Sequence, residues 1–183
     1  MDKSRRLRSL FPAFLIPILL TGCATSMHRA SFGPAQPVAD WSGVKNLSHS
    51  GDMYFAGQPT VEGLDAAKER GVKVVVNLRS EREMKALEFD EAAQMKRLGM
   101  EYVNIPITPD TFGPEDADRL KNVLAKTSGP VLLHCGSSDR VGAVWAMYLN
   151  RHRGVALDEA IDQGRKAGMR SDRLVEIVKK SAS

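Results

Sequence analysis

Cysteine is scarce in this chain: Cys23 and Cys135 are the two among 183 residues, too few to staple a small scaffold with disulfides. The four histidines, His28, His49, His134 and His152, are scattered without metal-ligand spacing, so no metal site is expected. An excess of one charge is missing as well. The formal net charge is +4, but Lys3, Arg5, Arg6 and Arg8 against Asp2 put +3 of it in residues 1–22. The remainder holds 22 basic and 21 acidic residues, which excludes a polybasic nucleic-acid surface on the folded part. No apolar run reaches the length of about 20 residues that a membrane-crossing helix takes. The longest, Leu10–Leu20, spans eleven and includes Pro12 and Pro17. Internal repeats are absent too. What is present is 43% hydrophobic and 26% charged side chains, the balance of an ordinary globular domain with one core.

The basic start, the apolar run and the small residues after it follow the order of a secretory signal. Leu20-Thr21-Gly22-Cys23 resembles a bacterial lipobox at all four positions. That resemblance implies that Cys23 is acylated and becomes the first residue, its acyl chains holding the protein on a membrane by burying CH₂ groups. Ala24 after it, rather than Asp, implies by the same resemblance the outer membrane. A lipid-anchored, periplasm-facing protein of the bacterial cell envelope is expected. Arg5-Arg6 matches a twin-arginine signal poorly. Residues 24–39 carry Gly33, Pro34 and Pro37 among small and polar residues and read as a tether, with an ordered arm on the domain as the alternative. The expected division is a signal peptide over 1–22, a lipidated tether over 23–40 and a folded domain over 41–183.

From about Asp40 short apolar runs alternate with longer amphipathic ones. Met53–Ala56 reads as a strand, and Thr60 caps a helix through Arg70 that Gly71 stops. Val72 to Leu78 contains Val74-Val75-Val76, a β-branched run typical of a strand covered on both faces. Ser80 and Glu83 form a capping-box signature that predicts a helix reaching about Leu98, with Gly99 as its stop. Tyr102–Ile105 is a further strand. Pro114, Glu115 and Asp116 suit the first turn of a helix ending near Lys126. Val131–Leu133 reads as the shortest and most buried strand. Helices are predicted over Arg140–His152, Leu157–Ala167 and Ser171–Lys180, the last with Leu174, Ile177 and Val178 as its apolar stripe. Met84, Met95, Met100 and Met147 read as gap-filling core residues, and Trp41 and Trp145 as core or rim aromatics. Strand and helix in alternation predict an α/β fold, a largely parallel central sheet of about four to five strands flanked by helices.

The stretch His134-Cys135-Gly136-Ser137-Ser138-Asp139-Arg140-Val141-Gly142 lies between a buried strand and a helix. Such a loop presents backbone N–H groups to one point, an anion cradle that the helix dipole favours further. Gly136, Ser137 and Ser138 keep the loop small enough for an oxyanion to approach, and Arg140 can grip two of its oxygens in a fork. Cysteine pKa values fall to about 3.5–7.5 in such fields. A Cys135 thiolate beneath a bound oxyanion is poised for in-line attack, with His134 orienting the backbone or adding to the field. Asp139 puts a carboxylate beside the cradle, which costs anion binding unless it points away. Arg79 leaves the sheet at its carboxyl edge, where it either assists an anionic substrate or forms a surface salt bridge.

This His-Cys, short loop, Arg pattern resembles the signature of cysteine-dependent phosphatases of the protein-tyrosine and dual-specificity superfamily. In particular it is similar to bacterial phosphatase-like domains related to beta-lactamase hydrolase-like proteins. The likeness runs over about residues 41–168 and includes Ala56-Gly57-Gln58-Pro59-Thr60, Asn77-Leu78-Arg79 and Pro130-Val131-Leu132-Leu133-His134-Cys135. It implies that Cys135 forms a phospho-cysteine, that Arg140 and the backbone of residues 136–140 hold the phosphate, and that a loop aspartate protonates the leaving oxygen. Asp110 is the first candidate for that acid and Asp116 the second. Three features depart from the pattern. Four residues rather than five separate Cys135 from Arg140, the usual loop glycine is replaced by Ser138 or lost, and Val141 stands where a hydroxyl residue normally follows the arginine. A six-residue loop is the length found in rhodanese-type sulfurtransferases, which carry a persulfide on the same cysteine. A phosphomonoester hydrolase, a Cys135-persulfide sulfurtransferase and a non-catalytic oxyanion-binding module are therefore the three readings, with a phosphorylated substrate or other small oxyanion as partner. None of them calls for a cofactor.

Overall fold

A computed structural model describes residues 32–182, so the expectations for residues 1–22, Cys23 and His28 lie outside the described residues. Strands β1 (Gln36–Pro37), β2 (Ser48–Ser50), β3 (Met53–Ala56), β4 (Val74–Asn77), β5 (Glu101–Asn104) and β6 (Val131–His134) form one sheet in the order β1-β2-β3-β6-β4-β5. β3, β6, β4 and β5 are parallel; β1 and β2 run antiparallel at one edge. The sheet thus has six strands where four to five were expected. Ser48-His49-Ser50 and Gln36-Pro37 carry no apolar alternation. The tight turn at Gly51-Asp52, where Gly51 takes φ +54°, folds Ser48–Ser50 back onto β3, and Gln36-Pro37 pairs with its outer edge. β6 is not the shortest strand: its four residues equal those of β3, β4 and β5, and all four are buried.

Strand alternation sorts the side chains between two layers. Phe55, Val74, Val76, Val131 and Leu133 join a core around Trp145 with helices α4 (Pro114–Leu124), α5 (Asp139–Arg153), α6 (Leu157–Lys166) and α7 (Asp172–Ser181). Ala56, Val75 and Leu132 face Trp41, Leu64 and Met95 of the α1 (Val61–Glu69) and α3 (Glu91–Leu98) layer. Full burial contributes about 1.5–3 kcal/mol per large aliphatic side chain, so the centre of the sheet is a firm base for whatever leaves its edge.

The helix expected from Ser80 to Leu98 is two. α2 (Glu81–Met84) lasts one turn beneath its capping box. α3 restarts at Glu91, where the Asp90 side chain accepts a hydrogen bond from the Ala93 amide at 3.0 Å. A second strong N-cap and the packing of Phe89 against the α1/α3 core outweigh helical continuity across residues 85–90. The described part of the 24–39 segment takes the ordered-arm alternative. Phe32 stands edge-on to Trp145 with centroids 4.9 Å apart and lies under Arg153, and Ala35 is buried. Among the described residues no helix is long and apolar enough to cross a membrane.

Parallel register brings the carboxyl ends of the strands into one row, with Ala56, His134, Asn77 and Asn104 as successive Cα partners. Loops leaving such an edge are where open α/β sheets bind ligands. α5 is pressed close to α6 there: a Cβ on Gly142 would run into the Gly164 carbonyl and the Met169 amide.

Candidate active site

Residues 135–138 join β6 to α5, and their carbonyls are tied into the surrounding frame. Gly136 O accepts from the Gln58 amide (3.3 Å), and Ser137 O from Asn46 Nδ2 (3.2 Å) and the Arg170 guanidinium (2.5 Å). Ser138 O accepts from the Gly142 amide (3.0 Å) as the first bond of α5. In a trans peptide the N–H points opposite to the C=O, so the Ser137 and Asp139 amides turn the other way. No hydrogen bond reaches the amides of Gly136, Ser137, Asp139, Arg140 or Val141 among the described residues. Ser138 takes φ +71°, a conformation that costs a non-glycine residue of order 1–3 kcal/mol. Its buried hydroxyl, turned into the protein, donates to Asn46 O (3.1 Å).

Cys135 is fully buried at the base of this loop, not exposed as a reactive thiol would suggest. Arg140, in the first turn of α5, is shared. Nη1 and Nη2 donate to the two Glu83 oxygens at 2.8 and 2.6 Å, and Nη1 also to Ile107 O at 2.8 Å. Cys135 lies close enough to this guanidinium to interact with it electrostatically. Glu83 therefore takes one edge of the predicted fork, and the sulfur lies within reach of the group. The Arg140 hydrogen bond, working against burial, holds the Glu83 carboxyl down at about 2. Glu83 in turn raises Arg140.

A cavity of about 670 Å³ opens beside Arg140, lined by Arg82, Glu83, Thr108, Ser137, Asp139 and Arg173 among others. The Asp139 carboxylate points away from the cradle: Oδ1 accepts from the Arg170 and Ser171 amides at 2.6 and 3.0 Å. Asp110 is exposed beside the cavity wall at Pro109 and pairs with Arg173 at 2.5 Å. Asp116 is buried and accepts from the Gly113 amide (3.1 Å) at the start of α4, and burial pushes its carboxyl up. Arg79 does not line the cavity; it is half-buried and makes the salt bridge that was its alternative reading, to Glu83 Oε1 at 3.7 Å. It donates to Gln58 Oε1 (2.6 Å) and Glu83 O (3.1 Å) inside the frame. Gln58 donates to Glu91 Oε2 (2.9 Å), and Glu91 Oε1 meets His134 Nε2 at 2.7 Å. His134 is thus turned toward α3 rather than into the cradle.

A family model described as PTP-NADK, DSP-PTPase phosphatase fused to NAD+ kinase, matches residues 27–180. The chain belongs to this DSP-PTPase phosphatase family. Similar proteins include the "Beta-lactamase hydrolase-like protein" of Xylella fastidiosa (strain Temecula1), 27% identical over 97 residues, 52% of this chain and 22% of that one. The protein of that name from Agrobacterium fabrum is 26% identical over 113 residues, 61% of this chain and 25% of its own. The match thus spans 22% to 25% of the length of these relatives. The fold is shared with P. aeruginosa TpbA, solved in complex with pTyr (TM-score 0.65, 22% identity, 85% of this chain and 93% of that one). It is shared likewise with Tk-PTP in its active form (TM-score 0.62, 23% identity, 78% and 98%).

In this chain of the phosphatase family the structure brings Cys135, Arg140 and the 136–141 amides together, sets Asp110 near the mouth, and shows Asp116, Asp139 and Arg79 bonded to other groups of the protein. Two carboxylates of the site escaped the sequence reading. Glu83 was visible in the capping box, and its Oε2 does accept from the Ser80 amide (2.9 Å). That local role gave no sign of the partner 57 residues on. Glu91 precedes buried Met95 by one helical turn, so the helix face itself carried a signal of a buried acid.

Proposed function

We propose that this phosphatase-family chain hydrolyses phosphomonoesters of the tyrosine or dual-specificity type through a phospho-cysteine. The observation that carries the reading is the set of unbonded amides at residues 136, 137 and 139–141 around Cys135, with Arg140 alongside. They offer fixed donors to the three non-transferring oxygens, which need no reorganisation as charge develops. The Cys135 thiolate attacks phosphorus and the bond to the ester oxygen breaks. Asp110, released from Arg173, gives that oxygen its proton. Water then cleaves the S–P bond, freeing phosphate and restoring the thiolate. The pTyr complex of P. aeruginosa TpbA supports an aryl phosphate as the substrate type. Loop length favours a second reading, sulfur transfer through a Cys135 persulfide, and Val141 a third, oxyanion binding without turnover.

The full chain assayed on a chromogenic aryl phosphate, and on thiosulfate with cyanide as acceptor, separates the three. Phosphate release that Cys135→Ser abolishes supports hydrolysis. A sulfur adduct on Cys135 by intact mass overturns it in favour of the second reading, and phosphate binding without turnover does so in favour of the third. For the acid, Asp110→Asn is expected to remove the basic limb of the pH–rate profile; an unchanged limb removes the assignment. We also propose that lipid on Cys23 holds the chain to the cell envelope. Cys23→Ser should then move it from the membrane to the soluble fraction.

A further inference from the structure

Behind the anion loop lies a buried acid that the proposed reaction does not use. Glu91 opens α3, and its carboxylate and the His134 imidazole are both fully shielded from water, 2.7 Å apart. Gln58 holds the second carboxylate oxygen with its side chain and the loop carbonyl of Gly136 with its own amide. Arg79 fixes Gln58 in turn. Burial pushes the Glu91 carboxyl up, but the hydrogen bond and charge of His134, the Gln58 bond and the Arg79 charge together bring it below the usual range. The N-terminus of α3 favours the anion as well.

An ionised carboxylate can only accept hydrogen bonds, so Nε2 of His134 carries a proton. Nδ1 is buried with no hydrogen-bond partner among the described residues. Strand alternation sends His134 toward α3 and Cys135 into the opposite core beside Leu133. The imidazole belongs to the residue next to the nucleophile, and Glu91 lies beyond it. We propose that Glu91 is a positioning residue for Cys135. By holding His134 as an Nε2–H donor it locks the strand end from which the loop starts, and so fixes where the Cys135 sulfur sits relative to the loop amides. Gln58 then clasps both sides of that junction, which gives the Ala56-Gly57-Gln58 stretch a physical role.

One arm of the test needs no variant. Ring-nitrogen shifts of His134 in the ¹⁵N-labelled full chain should show Nε2 protonated from about pH 5 to 9. A bare Nε2 with the proton on Nδ1 overturns the proposal. The second arm rests on the reading of Cys135 as a nucleophile and follows its alkylation rate against pH. Arg79, Glu83, Arg140 and Tyr102, the other titratable groups facing this junction, are left intact. In Glu91→Gln, shown folded by circular dichroism, the midpoint should rise by about one unit, about a tenfold slower reaction below it. An unmoved midpoint in the folded variant also overturns the proposal. A wild-type Cys135 that does not react at all counts against the hydrolase reading, while the nitrogen shifts still decide the role of Glu91.

Discussion

Arg140 divides its guanidinium between the Glu83 carboxylate and the side of Cys135. Both contacts suit an arginine rather than a lysine, because a planar group with five donors can be gripped along one edge and still offer hydrogens elsewhere. Glu83 aims the fork, and its negative charge also sits near the place where an anion would bind. Removing the charge should therefore split the kinetic constants. In Glu83→Gln we expect kcat on an aryl phosphate to fall about tenfold through lost alignment, while inorganic phosphate inhibits more tightly. Steady-state kinetics with phosphate as inhibitor measures both, and a fall in phosphate affinity would show that Glu83 serves binding alone. The Asp139 carboxylate illustrates the opposite solution. It is drawn off to the Arg170 and Ser171 amides, so it costs the cradle little.

At the scale of elements, the loop depends on how α5 is seated. Gly142 and Gly164 let α5 and α6 approach backbone to backbone, and Gly168, at φ +117°, leaves room for the Ser138 side chain. Gly142→Ala must separate the helices, and overpacking of this kind costs about 1–3 kcal/mol. Thermal unfolding should show that loss, and the loop's donors should shift with it, weakening phosphate binding. A variant as stable as the parent would mean that the contact relaxes freely. The interrupted 80–98 helix is the other informative element. Continuous helix there would have no break at residues 85–90, whereas the observed break gives α2 and α3 separate N-termini, with Glu83 on one and Glu91 on the other. Caps and apolar stripes were legible residue by residue. Which of two competing caps would restart the chain was not, because Phe89 finds its partners only once α1 and α3 are packed together.

Over the whole molecule, the carboxylates of the site set how it meets acid. Glu83 is held at about 2 against an ordinary 4.5, and Glu91 is lowered as well. A depressed carboxyl stabilises the folded state fully above its unfolded value, and that contribution is lost as pH falls through the folded value. Stability should therefore decline below about pH 4.5 and go on declining toward pH 2. Asp116, pushed up by burial, works in the opposite sense and offsets part of the loss. Melting temperatures between those limits test this. Glu83→Gln should flatten the lower limb, and an unchanged slope would mean that the Arg140 pair adds nothing to stability. The near-neutral charge beyond residue 22 gives the folded part no long-range field, so selectivity for an anion comes from the cradle itself.

Local chemistry in the chain was enough to determine the four parallel strands, the turns and caps that end the helices, and the Cys135-to-Arg140 loop between a buried strand and α5. Apolar period, β-branched runs and capping residues act over a few neighbours, so they can be read along the chain. The antiparallel edge of polar residues, the burial of Cys135 and the separate fates of Asp110, Asp116 and Asp139 came only with the tertiary structure. So did the partners of the two acids behind the site, since Glu83 meets Arg140 across 57 residues and Glu91 meets His134 across 43. Pairings at such distances follow from the order of strands in the sheet, and no local pattern records that order.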